Sequence, residues 1–295
     1  MRVTNQLVAN TVTRELFQQT EDLLELESKI STGKRINKPS DDPIGMSKVL
    51  DYGKTLSKIE QYKRNISHGT SWLNLTESTL GTLDSIVVNA KEIAVYQATG
   101  TANDADRQMA AQEVKHIYDQ IIQLANTKLG DSYIFSGYKT DAAPFSRDEN
   151  FNITYHGDDS EIQTKLGEGV SMTINANGAD VFHCDASVFD SLKGLMEALE
   201  NNDMEMVSAQ IETLDAALDQ TLEAQVQVGA KLDRMTTTKS YWDNFELDVT
   251  EMLSETEDAD LTEAVIKLTS REAAYQACLS VAAKMIQPTL MSFLR

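Results

Sequence analysis

The sequence predicts a mainly α protein: an elongated coiled-coil and long-helix bundle, with its N- and C-terminal helices paired and a small β insert carried on the helical body. Three observations point there. Heptad-spaced apolar residues occur at both chain ends. From Pro43 to Gln97 no further proline interrupts a helical pattern. Aromatic residues make up 6% of the 295 residues, which contain four prolines, a composition suited to long helices rather than a compact α/β enzyme core.

At the amino end, Val12, Leu16, Leu23, Leu26 and Ile30 repeat in steps of four and three, with Gln19 as the polar exception, up to Gly33. The segment STGKRINKPSDDPIG (31–45) then breaks the helix. Gly33 closes it, Lys34, Arg35 and Lys38 suit its negative carboxyl end, and Pro39 blocks continuation. Asp42 and Pro43 form an N-cap and first-turn pair, with Asp41 adding charge favourable to the next helix. Adjacent carboxylates in front of a helix read as caps rather than as a catalytic pair.

The next helix carries Tyr52, Leu56, Ile59, Ile66, Leu73, Leu80, Leu83, Val87 and Ala90 on one face. At 1.5 Å per residue it is a rod of roughly 80 Å. TGTANDAD (99–106) is a turn in which Asn103 or Asp104 caps a further helix to about Leu129, with Met109, Val114, Ile117, Ile121, Leu124 and Ala125 as its apolar face and Gly130 ending it. The period then changes to two. Tyr133 to Gly137, Phe151 to Tyr155 and Ser171 to Ile174 have strand character among glycine, Asp and Asn clusters, too small a region for a large core of its own. Helix resumes near Val188. After the Asn201, Asn202, Asp203 break, a seam runs through Ile211, Leu214, Leu218, Val228, Leu232, Met235, Trp242, Val249 and Leu253.

The terminal stretch, Leu261 to Arg295, has more apolar surface than one partner helix covers. Leu261, Val265, Leu268, Tyr275, Leu279, Ala282, Ile286 and Phe293 form a seam interrupted by Glu272 and Thr289, and the opposite face, with Ala273, Ala277, Val281, Met285 and Leu290, is apolar too. Such a helix belongs inside something. A membrane span needs about 20 predominantly apolar residues. Here Gln276, Ser280, Lys284, Gln287 and Pro288 interrupt the run, so burial against other chains is the expected route and no membrane anchor is expected. The resulting division is a terminal coiled-coil domain (1–42 and 256–295), a long-helix rod (43–137 and 188–255) and a small β-rich surface insert (138–187).

Other functions find little support. The formal net charge of −20 argues against nucleic acid. It concentrates in residues 188–260, with 18 Asp and Glu against 4 Lys and Arg, as a solvated face. Cys184 and Cys278 imply no disulfide framework, and Met1 to Asn10 has no continuous apolar run of the secretory type. The groups His183, Cys184, Asp185 and His156, Asp158, Asp159 match no metal-binding spacing and read as turn chemistry. His68 and His116 lack catalytic partners, Gly167 and Gly169 make no phosphate loop, and Trp72 and Trp242 read as core packing. No enzymatic activity, cofactor or metal is expected.

STGKRINKPSDDPIG, EIAVYQATGTANDADR (92–107), VGAKLDRM (228–235) and EDADLTEAVIKL (257–268) resemble the signatures of the bacterial flagellin superfamily. RNISHGTSWLNLTES (64–78), GDSYIFSGYKTDAAPF (130–145) and the Lys38 to Pro43 form of the first motif resemble the branch that joins hook to filament. The likeness covers both helical arms; the insert after Phe145 carries none of these motifs. It implies a structural axial component, exported through the flagellar type III channel and self-associating in a ring. The implied partners are the other hook-filament junction protein, flagellin, and an export chaperone on the C-terminal helices. The interface residues expected from the apolar faces are Val12, Leu16, Leu23, Leu26, Ile30, Leu268, Tyr275, Leu279, Ala282, Ile286, Leu290 and Phe293, and the turn motif expected from cap chemistry is Gly33, Asp41, Asp42 and Pro43. Two alternatives stand beside this: a flagellin filament subunit, and a membrane-associated helical adaptor anchored by Leu279 to Leu294.

Overall fold

The computed structural model describes residues 2–99, 103–182 and 187–286. In chain order they form α1 (Arg2–Thr32), α2 (Pro43–Gln97), α3 (Asp104–Ala125), β1 (Lys128–Leu129), β2 (Ser132–Tyr133), β3 (Phe145–Arg147), β4 (Ile153–Tyr155), β5 (Gln163–Gly167), β6 (Val170–Thr173), α4 (Gly178–Phe182), α5 (Val188–Glu200), α6 (Met204–Glu257) and α7 (Leu261–Ile286). Two compact units divide the chain: Met1–Lys58 with Phe245–Arg295, and Ile59–Asn244. Residues of α2 and α6 belong to both.

The Ile59–Asn244 unit holds the core. Ile66, Leu73, Leu80, Leu83, Val87 and Ala90 of α2 are buried in one cluster with Val114, Ile117 and Ile121 of α3, Leu192, Leu195 and Leu199 of α5, and Leu214, Val228 and Met235 of α6. Each large side chain so buried contributes roughly 1.5 to 3 kcal/mol relative to exposure. Polar contacts cross between α2 and α6 inside this unit. The hydroxyl of the fully buried Thr221 donates to the Asp84 carboxylate, and Lys91 pairs with Asp215.

Asn103 caps α3 reciprocally: its Oδ1 accepts the Asp106 N–H at 2.9 Å, and the Asp106 carboxylate accepts the Asn103 N–H at 3.2 Å. The helix stops at Ala125, short of the expected Leu129, because Asn126 turns aside to bracket Phe145. Its Oδ1 accepts the Phe145 N–H at 3.0 Å and its Nδ2 donates to the Phe145 carbonyl at 2.9 Å. Met109 is 65% exposed rather than on the apolar face; Ala110, Ala111 and Tyr118 occupy the core instead.

The strands pair as three antiparallel hairpins, β1 with β2, β3 with β4, and β5 with β6. The YIFSG stretch contributes only Tyr133 to a strand. Ile134, Phe135 and Ser136 are buried in a turn through Gly137, whose φ is +65°. Phe145–Arg147 and Gln163–Gly167 are strands that alternation did not reveal; QTKLG is polar along most of its length and ordered by its partner. The segment read as a surface insert sends Phe145, Leu166, Met172, Ile174, Val181 and Phe182 into the common core. An aromatic cluster forms there, with Phe135, Phe145 and Phe189 packed on Phe182 at centroid distances of 5.2, 5.2 and 5.8 Å.

After Ser187, which caps α5, the α5 to α6 break uses Asn202 at φ +57° and Asp203, whose Oδ1 accepts the N–H groups of Glu205 and Met206. Trp72 is buried. Trp242 is half-buried, its Nε1 donating to the Leu166 carbonyl at 2.6 Å. Among the described residues no three His, Cys, Asp or Glu side chains converge as a metal site would need, and no helix is long and apolar enough to cross a membrane. His183, Cys184 and Asp185 lie outside the described residues, as does the second half of Leu279 to Leu294.

Candidate assembly interface

The other unit is built from α1, α7, the ends of α2 and α6, and two short connections. Its core is thin. Among the described residues Ile36, Gly45, Val249, Ala264 and Ala282 are buried, and large apolar side chains lie open, Phe17 72% and Ile44 75% exposed. Leu24, Leu247, Ile266 and Val281 are also exposed.

α7 packs on α1 and runs back along it. Val12, Leu16, Gln19, Leu23, Leu26 and Ile30 are the half-buried positions that α1 turns inward. On α7 the covered positions are Ala264, Leu268, Tyr275, Cys278 and Ala282, in steps of four and three once Arg271 is included. Arg271 reaches out of this row to Asp22 of α1 at 3.3 Å. The sequence-derived seam therefore divides. Leu268, Tyr275 and Ala282 face inward, whereas Leu261, Val265 and Leu279 stay 43 to 49% exposed. Side-chain size alone would favour Val265 and Leu279 over Ala264 and Cys278 by about 3 kcal/mol, at about 0.8 kcal/mol per buried methylene. The side chain of Ile286, and Leu290 and Phe293 altogether, lie outside the described residues.

The two connections join each other. Gly33, at φ +72°, ends α1 in the left-handed region, where an added Cβ would meet no neighbour, so the demand for glycine is conformational. Its carbonyl accepts the Ala259 N–H at 2.9 Å, and the Glu257 carbonyl accepts the Arg35 N–H at 2.6 Å. Lys34 Nζ lies 2.7 Å from Glu257 Oε1, and Arg35 Nη2 donates to the Thr256 carbonyl at 2.7 Å. The two basic side chains thus serve the carboxyl end of α6, not that of α1 as their sequence position suggested. Cations near the last carbonyls stabilise a helix end; Arg35 supplies that contact to α6, and Lys34 pairs with the side chain of its last residue.

Asp41 likewise does not act on the next helix. Its Oδ2 accepts the N–H groups of Asn37 and Lys38 at 3.0 and 2.9 Å, closing the loop, and these bonds hold its carboxyl below the ordinary range. Asp42 Oδ1 accepts the Gly45 N–H at 2.9 Å at the start of α2, directly before Pro43 in the first turn; that bond, with Arg35 close by, lowers its pKa as well. Gly45 is favoured for a different reason from Gly33: an added Cβ would stand 2.5 Å from both Asp42 Oδ2 and Ile36 Cδ1, so both side chains would have to shift. On the opposite connection Asp260 Oδ1 accepts from Thr262 and Glu263, capping α7.

Ile36, Gly45, Glu257, Ala259 and Asp260 are thus structural members of this junction that were not singled out from the sequence. The signals were present: an isoleucine stranded in a polar loop, and an Asp three residues before a Glu at a helix start.

Residues 3–140 match the family model for the bacterial flagellin N-terminal helical region. Flagellar hook-associated protein 3 of Escherichia coli K12 is 28% identical over 307 residues, covering 94% of this chain and 96% of its own. The crystal structure of Bacillus cereus FlgL superposes with a TM-score of 0.61 at 26% identity, over 69% of this chain and 99% of that one. A solved structure from Vibrio parahaemolyticus shares the fold with a TM-score of 0.69 at 22% identity, over 74% of this chain and all of that one. Flagellins matched over nearly the whole chain are more distant, that of Listeria innocua being 20% identical.

Proposed function

We propose that the chain is a member of the bacterial flagellin superfamily, standing with hook-associated protein 3, and that it is a structural protein of the flagellum, joining hook to filament through its terminal helices. The observation that carries the mechanism is the contrast between the two units. One encloses a continuous core; the other leaves Phe17, Leu24, Ile44, Leu247 and Ile266 in water around very few buried residues. Fixing each backbone residue costs about 1 to 2 kcal/mol. Packing of α1 on α7 offsets that cost only marginally, and burial among neighbouring subunits adds the remaining stability, so full ordering of the pair is coupled to assembly.

In this reading copies associate in a ring, with the other junction protein on the hook side and flagellin on the filament side. An export chaperone covers the C-terminal helices before assembly, the route out is the flagellar type III channel, and the chain performs no catalysis. Deleting Met285 to Arg295 is expected to abolish incorporation while leaving the Ile59–Asn244 unit folded. Immunogold labelling of detached flagella is expected to give one band at the proximal end. Normal filament attachment by the truncated chain would reject the proposal.

The flagellin reading retains one point in its favour, the alignment of flagellins along nearly the whole chain. It predicts long filaments from the purified protein alone and label along the whole filament, whereas a junction protein needs a hook-side template.

A further inference from the structure

α7 presents two candidate rows to α1. Both contain Leu268, Tyr275 and Ala282; one adds Ala264 and Cys278, the other Val265 and Leu279. The row that meets α1 is the one with less apolar carbon. Packing between the two helices would by itself choose the other, since burial is favourable in proportion to the apolar area removed from water. The Asp22–Arg271 pair favours the observed row, and turning the other row toward α1 would bring Glu272 near Asp22. Both side chains are substantially exposed, however, and an exposed pair contributes little. Something else holds the rotation of α7.

We infer that the junction between the two connections sets the rotational phase of α7: the bonds from Ala259 to Gly33 and from Arg35 to Glu257, followed within a turn by the Asp260 cap, turn the smaller row toward α1 and keep Val265 and Leu279 outward. The connection from α6 to α7 is three residues, Asp258 to Asp260, and each of them is held: Asp258 is bridged to Lys34, Ala259 donates to Gly33, and Asp260 caps. An α-helix turns about 100° per residue and is stiff over a few turns, so a phase set at Asp260 is carried to Ala264 and onward. The outward row is then reserved for other subunits, a consequence that rests on the function proposed above. Gly33, Arg35, Glu257 and Asp260 are positioning residues in this scheme.

The test separates phase set by position from phase set by side chains. Ala264→Cys and Val265→Cys are introduced singly into the full-length soluble chain, and alkylation at each is followed by peptide mass spectrometry. In the parent chain cysteine at 264, a 7% exposed position, should react at least about fivefold more slowly than cysteine at 265, which is 46% exposed. Deleting Glu263 advances the helix by one position. The protected cysteine is then the one at 265, and the one at 264 becomes reactive. Inserting one alanine between Glu263 and Ala264 gives a second variant, in which cysteine 264 becomes reactive and a cysteine in the inserted place is protected. Far-UV circular dichroism checks that α7 persists, and the insertion decides, because the deletion brings residue 265 inward whether position or side-chain packing sets the phase.

Protection that stays with residue 264 in the helical variants, or equal reactivity of 264 and 265 in the parent, overturns the inference. Incorporation into flagella is scored separately. Shifted protection with undiminished incorporation would leave the phase assignment standing and remove the role given to the outward row.

Discussion

Gly45→Ala places a methyl group where the structure has no room. Judged by helix propensity, the change should help: glycine within a helix is about 1 kcal/mol worse than alanine. At this position the new Cβ would lie 2.5 Å from Asp42 Oδ2 and 2.5 Å from Ile36 Cδ1, so both must move. Displacing Asp42 removes the cap bond to Gly45 N–H, a loss of about 1 kcal/mol. Crowding Ile36, 1% exposed and one of the few buried side chains of its unit, adds about 1 to 3 kcal/mol. The net expectation is a destabilisation of about 1 to 3 kcal/mol confined to the unit containing α1 and α7. Both tryptophans, Trp72 and Trp242, belong to the other unit, so two probes separate the units. In urea, far-UV circular dichroism should show an early helix loss in Gly45→Ala, while the tryptophan fluorescence midpoint stays at its parental value. A variant as stable as the parent or more so by both probes would refute the steric reasoning and leave propensity as the governing effect.

The carboxyl groups of Asp41 and Asp42 are both lowered from the usual 3.8 by backbone N–H donors, of Lys38 and Asn37 in one case and of Gly45 in the other. Groups depressed in the folded state contribute stability that is present above 3.8 and is lost as pH falls through their folded values. Amide exchange at Asn37, Lys38 and Gly45 should accordingly quicken below about pH 4, relative to amides of the α2 core, and a uniform pH response would exclude this origin. Trp242→Phe removes the donor to the Leu166 carbonyl and should weaken β5–β6 protection by about 1 kcal/mol, read by hydrogen exchange. Thr221→Val keeps shape but takes a donor from Asp84, whose carboxyl burial already pushes upward. The ionised carboxylate loses most, so the destabilisation, about 1 to 2 kcal/mol at pH 7, should shrink at pH 4; equal losses at both would count against the contact.

The long helices were legible because their information is local and repetitive. The seam through Leu73, Leu80, Leu83 and Val87 stands at helical spacing and is buried as a row, and Asn103 marks the start of α3 by its own chemistry. The early end of α3 was not, because Asn126 leaves the helix for Phe145, nineteen residues away in the chain. Strand β5 was hidden for a related reason: a polar two-stranded hairpin is defined by its partner and by what Leu166 finds beneath it.

The same division runs through the assembly interface. By itself the sequence determined that both termini form helices with apolar seams, that Gly33 to Pro43 interrupts the first of them, and that α7 has more apolar surface than one neighbour can cover. Those properties follow from spacing and residue type along a single helix. Only the tertiary structure decided which row of α7 meets α1, and that Lys34 and Arg35 serve the end of α6. The physical reason is that a helix rotates freely about its axis as far as its own sequence is concerned. Its phase is chosen by what holds its first turn, and here that hold comes from Gly33, more than two hundred residues away in the chain.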